Sequence, residues 1–112
     1  MSGNVVELLN EEAFVCEVEN DNGVAVVDFW GDGCAPCKTM SPIIEELANH
    51  LTQIKICKIN FANATELAVR LQLMGLPTFY LFKNGEQVAS FSGTKSLKEF
   101  KTWIYDQGVL SN

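Results

Sequence analysis

Two cysteines three positions apart, Cys34 and Cys37, sit in the stretch DFWGDGCAPCK. Thiols at that spacing can hold a metal, staple a loop, or make and break a disulfide as their chemistry. An apolar run, Val24-Ala25-Val26-Val27-Asp28-Phe29-Trp30, ends just before them, and from Cys34 onward Met40, Ile43, Ile44, Leu47 and Leu51 recur at helical spacing. Cys34 therefore falls where a strand hands over to a helix. Unpaired backbone N–H groups and the positive end of the helix dipole favour a thiolate there, and the thiolate is the nucleophile. Cys37, one turn on, is placed to displace a product from a mixed disulfide on Cys34, with Pro36 stiffening the link. A metal site needs more ligands. The single histidine, His50, is at the far end of the helix, and Cys16 and Cys57 stand alone. The spacing favours redox chemistry, with a metal-holding pair and an inert pair as the alternatives.

Two charged residues interrupt apolar patterns. Asp28 breaks the strand run, and a buried carboxylate is costly unless it is paired or protonated, so burial raises its pKa. That would suit a proton carrier for Cys37. Lys58 is in phase with Ile54 and Ile56 on a later strand and is a candidate partner for Asp28. The bland reading puts both at a sheet edge or in solvent. Gly75-Leu76-Pro77-Thr78 precedes another strand, where proline is commonly a turn device.

The elements that must hold these residues follow from periodicity and punctuation. Val5–Leu8 reads as a strand, and Asn10 as the cap of a helix that carries Phe14 and Val18 and ends at Asn20–Gly23. The helix from Cys34 contains Pro42, which should kink it. Ile54–Phe61 is a strand, Asn63-Ala64-Thr65-Glu66 resembles a capping box opening a helix through Leu71, and Thr78–Phe82 and Gln87–Ser92 are strands joined by an Asn84-Gly85 hairpin turn. Ser96-Leu97-Lys98-Glu99 is a second capping box, opening a helix closed near Gly108. The order β-α-β-α-β-α-β-β-α predicts one mixed sheet with helices on both faces, an α/β fold.

At 112 residues and 47% hydrophobic the chain can bury its own core as a single domain. A net charge of −6 argues against nucleic-acid binding. No apolar stretch is long enough for a bilayer. The opening MSGNVVELLNEEAF lacks a basic region and carries acids, so the expectation is no signal peptide and a cytoplasmic protein, where a permanent disulfide framework is disfavoured.

Taken together, VVDFW before the cysteines, CAPCK with Pro42 in the helix, GLPTFYLFKNGE downstream and Gly93 before the last helix resemble the thioredoxin family over nearly the whole chain, 1–112. The resemblance implies a thioredoxin fold: a five-stranded mixed sheet of order 1-3-2-4-5 flanked by four helices. It implies Cys34 as exposed nucleophile, Cys37 as buried resolving cysteine, Asp28 as the acid beneath them and Lys58 beside it. It makes Pro77 a cis-proline facing the disulfide, with the Leu76 backbone pairing to an extended substrate segment, Gly75 and Gly93 leaving room for it, and Phe61 on an apolar rim. Gly33, Ala35 and Pro36 complete the substrate-binding surface.

The departures are specific. Gly33 stands where the family usually has Trp, Ala35 where it has Gly, and Ala62 where an Asp often pairs with that Trp. Sulfurs, proline and acid remain, so the chemistry is expected to survive while the contact surface changes. The resemblance thus implies a cytosolic, monomeric thiol–disulfide oxidoreductase that reduces protein disulfides. It would need no cofactor beyond its own dithiol and be regenerated by a thioredoxin-reductase-like enzyme, with no nucleic-acid or membrane partner. The departures imply an atypical reductase or a narrower substrate set. The runner-up is a non-enzymatic binding or assembly subunit. Cys16 and Cys57 read as bystanders, His50 as an ordinary helix end, and the N-terminal acids as a solvated helix face.

Overall fold

The apolar run expected at the centre of the sheet is there. In the computed structural model, which describes residues 5–110, Val24–Trp30 forms strand β2, buried along its length except at Trp30. Around it lie β1 (Val5–Leu8), β3 (Lys55–Asn60), β4 (Thr78–Lys83) and β5 (Glu86–Ser92) in the order β1-β3-β2-β4-β5. β3 pairs parallel with both β1 and β2, while β4 runs antiparallel to β2 and to β5. A strand covered on both faces reads as a continuous apolar run, and β2 and β4 both do.

The helices are α1 (Glu11–Phe14), α2 (Ala35–His50), α3 (Thr65–Arg70) and α4 (Leu97–Asp106), with a π-helical stretch Val15–Glu19 continuing α1 and a 3-10 turn at Phe61–Asn63. They divide the core in two. On one face Met40, Ile44, Leu47, Phe100 and Ile104 of α2 and α4 cover Val26, Ile56 and Phe79 of the sheet. On the other, Phe14, Val18, Leu67 and Ala68 cover Ala25, Val27, Cys57 and Tyr80. Each large side chain removed from water contributes about 1.5–3 kcal/mol. α2 runs as one 16-residue helix through Pro42, whose ring deprives the Lys38 carbonyl of its usual donor.

Punctuation explains most boundaries. Asn10 Oδ1 accepts from Ala13 N at 2.8 Å and opens α1. Ser96 and Glu99 form the expected capping box of α4, and Gly108 follows with φ 69°. Asn84 (φ 54°) and Gly85 (φ 82°) are both left-handed, as a tight hairpin turn requires.

Two expectations fail here. α3 has no Asn63 cap: Asn63 is in the 3-10 turn, Ala64 holds the cap position, and no side chain of that segment bonds the helix start. The free N–H of Leu67 instead donates to Glu11 Oε2 at 2.9 Å, so a carboxylate from α1 caps α3. The N-terminal acids are accordingly not a solvated face. Glu17 and Asp21 bind Lys55 Nζ at 3.1 and 3.4 Å, and Glu19 binds Arg70 at 2.8 Å. Of the acids between Glu11 and Glu19, Glu12 alone is exposed.

Candidate active site

β2 delivers its last residues to a turn, Gly31-Asp32-Gly33, and α2 starts immediately after. Cys34 is the N-cap of α2, with extended backbone, and its Sγ accepts the Cys37 backbone N–H at 3.2 Å. A sulfur that accepts a helix-start N–H is placed where negative charge is stabilised. Cys34 and Cys37 are joined as a disulfide with Cα atoms 5.3 Å apart. Cys34 is half-buried rather than fully exposed, and Cys37 is buried at 8%. Ala35 and Pro36, in the first turn of α2, are exposed beside them.

Beneath the turn lies a cavity of about 260 Å³ lined by Asp28, Trp30, Gly33, Cys37, Lys38 and Lys58, among others. Asp28 is 2% exposed, and its Oδ1 has no hydrogen-bond partner. Burial pushes its carboxyl up from the ordinary 3.8 to about 7, with nearby Lys58 opposing the shift and Glu7 adding to it. Lys58 is the register partner of Asp28. The expected contact pair does not form, however. The ion pairs among the described residues do not include it, and the Lys58 ammonium lies 5.5 Å from the Trp30 ring centroid. An aromatic face competes for the cation without the desolvation that close pairing with a buried carboxylate demands.

The second part of the site comes from β4. Its first residue, Thr78, pairs with Phe29, which brings Leu76–Pro77 alongside the turn after β2. The approach is close: a Cβ on Gly31 would fall 2.7 Å from Leu76 Cδ1, so a side chain there would push the Leu76 methyl aside. The Leu76–Pro77 peptide is cis. Thr78 Oγ1 donates to the Gly75 carbonyl at 2.6 Å, which leaves Ser92 Oγ to donate to Thr78 at 2.8 Å. Gly93 N donates to the Pro77 carbonyl at 2.9 Å, and its φ of 96° suits glycine alone. A Cβ on Gly75 or Gly93 would meet nothing within 4 Å, so open space borders both.

Phe61 leaves β3 directly after Asn60, the register partner of Trp30, and is 40% exposed at the same end of the sheet. It does not line the cavity. Asn60 itself carries no signal in the sequence. Its side chain accepts from Ala62 N at 2.9 Å and reaches Asp32 at 3.5 Å, tying the 3-10 turn to the turn before Cys34. Met74, 93% exposed just before Gly75, is equally silent in the sequence, as is Glu7, whose carboxylate accepts from Trp30 Nε1 at 3.2 Å. Only the phase of Glu7 with Val5 on β1 hints at its side of the sheet; its neighbours depend on register across strands. Among the described residues no group of three or more His, Cys, Asp or Glu side chains is arranged to hold a metal ion, and no helix is long and apolar enough to cross a membrane.

Comparison with known proteins now decides the family. The family model described as Thioredoxin matches residues 5–106. This chain belongs to the thioredoxin family. It is 33% identical over 110 residues to Thioredoxin C-2 of Corynebacterium nephridii, covering 97% of this chain and all of that one. It is 35% identical over 100 residues to a thioredoxin of Peptoclostridium acidaminophilum, covering 88% and 90%. The crystal structure of Malassezia sympodialis thioredoxin (Mala s 13) shares the fold, with a TM-score of 0.83 at 24% identity over 94% of this chain and 91% of that one. The strand order, the four helices and the joined cysteine pair are those of a thioredoxin. The protein is a thiol–disulfide oxidoreductase acting on protein disulfides. Thioredoxins in general need no cofactor beyond the cysteine pair, act on disulfide targets and are re-reduced by thioredoxin reductases.

Proposed function

We propose that this thioredoxin works mainly as a reductant of protein disulfides, with Cys34 as attacking sulfur and Cys37 as resolving sulfur. The observation that carries the assignment is the asymmetry of the pair. One sulfur is at the helix cap and partly open to solvent; the other is buried, in a cavity shared with Asp28. In the reduced protein the Cys34 thiolate attacks one sulfur of a substrate disulfide. The substrate S–S bond breaks, its first thiolate leaves and takes a proton from water, and a mixed disulfide remains. The Cys37 thiol then passes its proton to the Asp28 carboxylate, and the resulting thiolate attacks Cys34 Sγ. The bond from Cys34 to substrate breaks, Cys34–Cys37 forms, and the second substrate thiolate departs. Two electrons have moved from the dithiol to the substrate.

Lys58 stabilises the ionised Asp28 from the next strand. Pro77, with Gly75, Leu76 and Gly93, borders the space where an extended substrate strand lies, and Gly33, Ala35, Pro36 and Phe61 form its rim. The whole acts as one monomeric, cytoplasmic electron-carrying domain, reduced by a thioredoxin-reductase-like enzyme. With Gly33 and Ala62 in place of the aromatic–acid pair common in the family, that reductase or the substrate range is specialised. Turnover by a standard NADPH-dependent thioredoxin reductase, as fast as with that enzyme's own partner, would refute the specialisation.

Insulin reduction with dithiothreitol as electron source tests the core of this reading. Cys34→Ser abolishes activity, and Cys37→Ser stalls as a covalent enzyme–substrate disulfide visible on a non-reducing gel. Activity retained in Cys34→Ser overturns the assignment in favour of a role that does not use the sulfurs.

A further inference from the structure

The sheet face beneath α2 carries a row of three charged residues. Glu7 on β1 is the register partner of Lys58 on β3, and Lys58 is the register partner of Asp28 on β2. Burial rises along the row: Glu7 is exposed, Lys58 half-buried and Asp28 buried. Opposite charges facing each other across strands attract, yet the ion pairs among the described residues include none of these three. The Lys58 ammonium lies over the Trp30 ring, 5.5 Å from its centroid, and the Trp30 indole N–H donates to Glu7 Oε2 at 3.2 Å. Trp30 is two residues beyond Asp28 on the same strand and so shares its face.

We propose that Glu7 is a positioning residue for the proton step at Asp28: it fixes the Trp30 indole, whose face holds the Lys58 ammonium at the mouth of the Asp28 cavity instead of on the carboxylate. The proposal deepens the reductase reading and rests on it. A carboxylate locked against an ammonium stays ionised and is a poor place to hold a proton. A carboxyl with the cation nearby but not in contact can both accept the Cys37 proton and release it. The other groups around Asp28 do not supply this arrangement. Asp32 from the turn, and Lys38 and Cys37 from α2, line the same cavity, Glu45 continues the α2 stripe one turn beyond Ser41, and β4 presents apolar Phe79 at the Asp28 register.

The test is a titration of the Asp28 carboxyl carbon by NMR in the oxidised full-length protein, with the Trp30 indole N–H resonance followed in parallel. Glu7→Gln keeps an acceptor for the indole and removes the charge. Its Asp28 midpoint falls by roughly a third of a pH unit, the direct effect of one charge about two strand spacings away. Glu7→Ala also frees the indole, so the Trp30 N–H resonance shifts further and the Asp28 midpoint falls further than in Glu7→Gln, because the Lys58 ammonium is released toward the carboxylate. In a Lys58→Gln background that additional fall disappears. Equal Asp28 midpoints in Glu7→Gln and Glu7→Ala overturn the proposal, and so does an additional fall that persists without Lys58. None of these measurements needs turnover, so failure of the reductase reading, seen as activity surviving Cys34→Ser, remains a separate result.

Discussion

Asp28 is the residue whose surroundings most oppose its chemistry. Its carboxyl is moved from the ordinary 3.8 to about 7, mainly by burial, so the folded protein holds a proton that the unfolded chain has released. The sign follows from linkage. Below about pH 4 both states are protonated and the residue has no electrostatic cost; between about pH 4 and 7 the cost grows, and above 7 it is fully present. A shift of that size corresponds to about 4 kcal/mol. Urea denaturation of Asp28→Ala and parent should therefore give a stability difference that moves in favour of the variant by about 4 kcal/mol between about pH 4 and pH 8.5. A pH-independent difference would mean that the carboxyl titrates normally. Gly33 makes a different point. Its φ is 74°, and a Cβ there would meet nothing within 4 Å. The first carbon of a side chain has room there, but the backbone is left-handed. Gly33→Trp should lose about 1–2 kcal/mol of stability from left-handed strain. A neutral effect on thermal unfolding would show that the turn relaxes.

Among the elements, α3 teaches most about what a sequence can disclose. At six residues it has little stability of its own, and its N-terminal donor is satisfied by Glu11, 56 residues earlier. Glu11→Ala should cost about 1 kcal/mol, read from chemical denaturation, with Glu11→Gln recovering part of it; the loss of one exposed charge without a cap would cost far less. The elements that were legible carry their instructions locally: the apolar run of β2, Asn84-Gly85, and the Ser96–Glu99 capping box. Cys34 at a strand–helix junction was legible for the same reason. The α3 cap and the Glu7–Trp30–Lys58 arrangement were not, because each depends on which distant strands or helices become neighbours. Periodicity puts Lys58 on the same side of its strand as Ile54 and Ile56, and the strand register sets it opposite Asp28. The preference of Lys58 for the Trp30 face could not be read, since periodicity gives the side of a strand and not the competition among groups on that side.

At the scale of the molecule, two cores back one sheet, and the two free thiols report on different depths of it. Cys16 is exposed, while Cys57 is fully buried in the core beneath α1 and α3, with its thiol pushed up to about 12 by burial. In oxidised native protein a thiol reagent at about pH 8 should therefore modify one cysteine promptly and the second only at the rate of global unfolding. Two prompt equivalents would mean that the α1–α3 side opens locally. The aromatic cluster on the opposite face has a use of its own. Trp103 sits against Phe91 and Phe100, where α4 docks, whereas Trp30 shares a cavity with Cys37. The two intrinsic fluorophores are thus segregated by role. A change of fluorescence on reducing the disulfide would be assigned to Trp30, and a change on undocking the last helix to Trp103.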